Sequence, residues 1–142
     1  PTGQSRFVFG MPGGEEYYRE QIKVPYNKQT FGNARYIKCS GRFACTQHYT
    51  YYKHLLTLDI TTRDKRNLWW GCRIDNKIGL TDADAPASEF HIYHCDLNKW
   101  GKVWFYVPIP DGLEEGDQIR LDVWNIGWQE LLLDDICLEL YR

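Results

Sequence analysis

The chain has 142 residues, 43% apolar and 25% charged, the size and make-up of one globular domain with a sizeable core. A net charge of −2 argues against a general polyanion binder, because such proteins carry clustered Lys and Arg, and no nucleic-acid partner is expected. No apolar run approaches twenty residues, so no membrane insertion by this domain is expected either.

Residues 1–14, with Gly3, Gly10, Pro12, Gly13 and Gly14, read as an irregular lead-in. The start at Pro1 rather than Met leads us to expect a domain excised from a larger protein or a processed product, 1–142 forming a single unit. Alternation of Ile22 and Val24 with Lys23 predicts a first strand over 17–26. A longer strand follows over 34–46, with Ile37, Cys39, Phe43 and Cys45 on one face and Gly41 suggesting a bulge or bend. The stretch 54–62 turns Leu56, Leu58 and Ile60 inward, and 68–75 does the same with Leu68, Trp70, Cys72 and Ile74. Phe90 and Ile92 mark a strand over 88–95, and Val103, Phe105, Val107 and Ile109 another over 102–109. The run 116–125 alternates regularly and breaks at 125–128. A last run then sets Leu132, Ile136, Leu138 and Leu140 on one side, with Asp134 interrupting near its start. Turn clusters separate these segments, and strong helical periodicity is missing. The fold class is therefore all-β, an antiparallel β-sandwich of about eight strands, most simply a jelly roll.

Six Trp and ten Tyr are more than a core of this size needs. Strand parity turns Trp104 and Tyr106 away from Val103, Phe105 and Val107. It likewise turns Trp69, Arg73 and Asp75 away from Trp70, Cys72 and Ile74, and Arg120, Asp122 and Trp124 away from Ile119, Leu121 and Val123. Indole and phenol rings beside Arg and Asp suit a pyranose, whose C–H face stacks on the ring while charged groups bind its hydroxyls. The competing reading has these aromatics covering core edges. Parity does not say which strands are neighbours, so it leaves the two readings open. The loop 47–54, rich in Tyr and His, is either a ligand loop at the end of the sandwich or a polar connector.

Cys39, Cys45, Cys72, Cys95 and Cys137 are odd in number, so at least one thiol is unpaired in a monomer. The first three share faces with apolar neighbours and read as small buried hydrophobes; a bridge between Cys95 and Cys137 stays open. Cys39 and Cys45 lie about 20 Å apart on one extended strand, too far to hold one zinc ion. A structural calcium is a better fit: Asp134 and Asp135 open the last strand, and Glu15 and Glu16 precede the first. Surface carboxylates at strand ends are the alternative, and no cofactor is required. Enzyme signatures fail in turn. There is no Gly-x-Ser-x-Gly elbow and no phosphate-cradling glycine loop, and nothing in the sequence brings Asp59 and Asp75 together as a glycosidase pair.

With the strands placed, the segments Trp104-Phe105-Tyr106-Val107-Pro108, Gly116 to Leu121 and Leu133-Asp134-Asp135-Ile136-Cys137-Leu138-Glu139-Leu140-Tyr141 can be compared with known patterns. This tail resembles the end of a galactose-binding-like jelly roll, a fold used by many carbohydrate-binding modules. It also resembles β-sandwich domains appended to bacterial cell-envelope proteins. The motif covers about the last forty residues, and strand rhythm carries the rest. The resemblance implies a non-catalytic accessory domain that binds a glycan or polysaccharide, in an extracytoplasmic setting, periplasmic or secreted, beside other domains of a parent protein. It lends weight to Asp134 or Asp135 as a calcium ligand. The expected ligand residues are Trp69, Arg73, Trp104, Tyr106, Arg120 and Trp124, and the expected calcium ligands are Glu16, Asp134 and Asp135. A structural or protein-interaction β-sandwich with no small ligand is the rival.

Overall fold

A computed structural model describes residues 9–11, 17–45, 54–74, 100–125 and 130–142. Eight strands are described: β1 (Phe9–Met11), β2 (Tyr17–Pro25), β3 (Tyr36–Cys45), β4 (His54–Thr61), β5 (Asn67–Arg73), β6 (Gly101–Pro108), β7 (Gln118–Asn125) and β8 (Leu131–Tyr141). They form two four-stranded sheets, one in the order β1-β8-β3-β6 and the other in the order β2-β7-β4-β5. All ladders are antiparallel. Except for the β4–β5 hairpin, each strand lies in the opposite sheet from the strand before it. This is jelly-roll winding, and it follows from chain segments that are each apolar on one face only.

The core forms between the inward rows. Ile37, Cys39 and Phe43 of β3 and Val103 and Val107 of β6 meet Leu56, Leu58 and Ile60 of β4 and Ile119, Leu121 and Val123 of β7, all with no exposed surface. Trp70, Cys72, Phe105 and Leu68 pack around this centre half-buried. Burial pushes the Cys39 thiol up to about 12, as expected of a cysteine serving as a small hydrophobe. Among the described residues no helix is long and apolar enough to cross a membrane. The one described helix, α1 (Lys28–Phe31), is a single turn; the side-chain oxygen of Asn27 accepts from the amides of Gln29 and Thr30, and Phe31 packs on Tyr26.

Three expectations change. Within the stretch read as an irregular lead-in, Phe9–Met11 forms β1 and pairs with Leu131–Leu133, covering that edge of β8. The bulge expected at Gly41 lies in the neighbouring strand, since β3 runs unbroken against β6. Against β8, Ser40 faces Cys137 and Arg42 faces Asp134, so Asp135 and Ile136 together oppose Gly41. Asp135 takes the left-handed φ of 49° there, and its amide donates to Asp134 Oδ1. The extra residue reverses parity along β8: Leu131 and Leu133 are buried before it, and Ile136, Leu138 and Leu140 return to the core after it. Leu132 therefore does not share the side of Ile136, contrary to uninterrupted alternation. The strand expected over 88–95 and the loop residues 47–53 lie outside the described residues.

The turns that join the strands are tied together. The buried Asp117 carboxylate accepts from the amides of Arg63 (3.0 Å) and Glu114 (2.9 Å), linking the β4–β5 turn to the β6–β7 connection. In the β4–β5 turn, the Thr62 hydroxyl donates to Asp64 and accepts from the Arg66 amide. That hydroxyl, with Arg66 nearby, holds the Asp64 carboxyl below its ordinary range.

Gly41 points inward, and a methyl group there would sit 2.6 Å from Ile136 Cδ1 and 2.8 Å from the Phe43 ring. Gly41→Ala should therefore destabilise the domain by about 1–3 kcal/mol through overpacking. An unchanged urea midpoint would show that Phe43 and Ile136 can give way. Cys39 should resist alkylation by iodoacetamide at pH 8 while the protein is folded and react once it is unfolded in urea. Rapid labelling of the native protein at Cys39 would contradict its burial.

Candidate functional site

The topology supplies what parity could not, the lateral neighbours. On the outer face of the β2-β7-β4-β5 sheet, register places Trp69, Asp59, Arg120 and Lys23 in one row across β5, β4, β7 and β2. The next row holds Gly71, Thr57 and Asp122, and the one after it Arg73, Leu55 and Trp124. Four of the six expected ligand residues, Trp69, Arg73, Arg120 and Trp124, thus share one face. Trp104 and Tyr106 stand on the outer face of the other sheet, with the core between. The six do not form one site.

On the first face Trp69 is the most exposed aromatic whose exposure is described, at 51%. Its orientation depends on Gly71, two residues along the same edge: a Cβ on Gly71 would lie 2.6 Å from Cη2 of the indole and 3.0 Å from Cζ2. The six-membered ring thus lies over the bare backbone of Gly71, along the strand instead of standing away from it. Trp124 is half-buried two strands away, with its Cα about 16 Å from that of Trp69 by strand spacing and rise.

Arg120 shares the row of Trp69 and the strand of Trp124, at the corner the two rings make. Its Nε donates to Asp122 Oδ2 at 3.1 Å, and its Nη2 lies 3.5 Å from Asp59 Oδ2. The Asp122 side chain is fully buried, that of Asp59 is 13% exposed and that of Arg120 is 33% exposed. Two carboxylates therefore fix the guanidinium, while a third of the Arg120 side chain stays exposed. This engagement also defines Asp59 as a partner of Arg120; Asp75, the other half of the glycosidase pair considered from sequence, lies outside the described residues. The roles of Asp59 and Gly71 had no separate sequence signal, although a Trp-x-Gly spacing in a strand does flag a ring with open backbone beside it.

Of the expected calcium ligands, Glu16 lies outside the described residues. Asp134 accepts the Asp135 amide at 2.7 Å and Asp135 pairs with Arg42 at 3.6 Å. Among the described residues no group of three or more His, Cys, Asp or Glu side chains is placed to hold a metal ion.

No family model and no curated protein matches the sequence. Among solved structures, the chain is similar to one described as "Family 16 Carbohydrate Binding Module-2", with a TM-score of 0.55 and 15% identity over 93% of this chain and 75% of that one. The likeness is one of fold: this chain is a β-sandwich of the kind found in a carbohydrate-binding module.

If the bare backbone of Gly71 seats the indole, Gly71→Ala should tilt Trp69 off the sheet with little effect on the core. The expected result is a changed tryptophan emission and acrylamide quenching, with stability altered by less than about 1 kcal/mol. Identical emission and quenching in the variant would show that the ring does not depend on Gly71.

Proposed function

We propose that the domain is a non-catalytic carbohydrate-binding module whose ligand lies on the outer face of the β2-β7-β4-β5 sheet. Trp69 supplies the stacking surface, Arg120 and Arg73 the hydroxyl donors and Trp124 a second aromatic contact. One observation carries this reading: a half-exposed indole laid flat over Gly71, in the same row as an arginine two strands away that Asp59 and Asp122 already hold. A pyranose needs that combination, an apolar surface for its C–H face and fixed donors at its edge. The fold likeness to a carbohydrate-binding module supports the same reading. An extracytoplasmic setting beside other domains of a parent protein goes with it.

The test is a glycan array followed by affinity electrophoresis on the polysaccharides that bind. Trp69→Ala should weaken binding about tenfold or more, equivalent to about 1.4 kcal/mol. Its stability should change by no more than about 0.5 kcal/mol, as for an exposed side chain. If no glycan binds the parent protein and Trp69→Ala lowers the melting temperature sharply, the indole is structural and the binding role fails.

A further inference from the structure

The opposite face of the sandwich has a different chemistry. On the outer side of β1-β8-β3-β6, Trp104 (52%) and Tyr106 (50%) are exposed on β6, with Tyr36 on β3 and Tyr141 on β8 exposed beside them. Register sets Arg42, Ser40 and Lys38 of β3 directly against Lys102, Trp104 and Tyr106 of β6. The buried Ser40 forms part of the floor of a groove of about 760 Å³ over β3 and β8, within the range of about 300–1,000 Å³ typical of ligand sites; Tyr141 lines it, and Trp104 and Tyr106 stand beside it on β6.

The charges in this groove are unbalanced. Arg42 and Lys102 are like charges directly opposite each other, a pairing that costs stability in a sheet. Arg42 is met by Asp135 at 3.6 Å and stacks on the Trp100 ring at 5.7 Å, whereas no ion pair holds Lys102 among the described residues. Further along, the Lys38 ammonium lies over the Tyr106 and Tyr141 rings, 5.8 and 5.9 Å from their centroids. Glu139, the register partner of Lys38, accepts from the Tyr141 hydroxyl at 3.1 Å. Three cations thus line the groove against two carboxylates, and both carboxylates already have partners. The cations alternate with aromatic rings along the β3–β6 pair.

We infer that this face is a second saccharide site, specific for a chain that carries anionic groups. Sugar rings stack on Trp104 and Tyr106, while their acid groups meet Lys102 with Arg42 and then Lys38. Local charge decides this despite the net charge of −2, because screening confines each field to about a Debye length. The inference rests on the domain being a glycan binder, but it uses a face that Trp69 does not reach.

Dissociation constants measured by calorimetry on the whole chain test it. The ligands are polygalacturonate against its methyl ester, and dextran sulfate against dextran. The expected result is that at least one acidic polymer binds tenfold or more tightly than its neutral counterpart. That preference should fall with added salt and be lost in Lys102→Glu and in Trp104→Ala, while Trp69→Ala retains it; Lys102→Gln serves if the reversal does not fold. Preference for carboxylate or for sulfate identifies the acid group. The inference is overturned if neither acidic polymer is preferred, if Trp69→Ala removes the binding, or if a single-stranded oligonucleotide binds more tightly than both. Neutral glycans that bind through Trp69, with no acid preference, would sink the second site and leave the first standing. No binding to any glycan would sink both.

Discussion

Two rows of apolar side chains facing each other across the sandwich are the constraint on which everything else depends. Leu56, Leu58 and Ile60 on one sheet and Ile37, Val103 and Val107 on the other leave no exposed surface. In a strand the side chain after a buried one must point the other way. Burying those positions therefore commits Trp69, Arg120, Lys38, Trp104 and Tyr106 to the two outer faces. The outer faces are thus the complement of the core, and the strands that carry them are the ones whose other side is fully buried.

Much of this was legible from alternation alone, because a strand's inside and outside are local properties. The inward faces of β4, β6 and β7 read correctly residue by residue, as did the outward placement of Trp69, Arg73, Trp104, Tyr106, Arg120 and Trp124. Lateral order was not legible, since pairing such as β7 with β2 and β4 joins segments far apart in the chain. Parity therefore named six outward residues without assembling them, and the fold divides them between two faces. The failure in β8 has a different origin. One residue, Asp135, accepts a left-handed φ, and every side chain beyond it changes faces; aspartate at such a position is a weak sequence signal. Likewise β1 escaped because three residues among glycines have no periodicity, and only the presence of Leu131–Leu133 makes them a strand.

The two faces differ in how their charges are balanced. Near Trp69 a single guanidinium is shared by two carboxylates, an arrangement with little net charge to offer and well-defined geometry. Near Trp104 the cations outnumber the acids and Lys102 stands opposite another cation. The first arrangement favours recognition by shape and hydroxyl placement, the second by charge. Because a sandwich fold by itself dictates neither, similarity to a carbohydrate-binding module speaks for the scaffold, and the side chains must speak for the ligand.

The winding of the strands also bears on how the chain reaches this state. β8 lies between β1 and β3, so one sheet lacks an interior member until the most C-terminal strand is available. β3 can pair with β6 first, but β1 and the other edge of β3 stay open until β8 is made, more than eighty residues after β3 by a rough count. Architectures dominated by such distant pairings fold in about milliseconds to seconds. Throughout that interval their open edges invite the wrong neighbours. A helical bundle of equal length, with its contacts close in sequence, passes through no such interval.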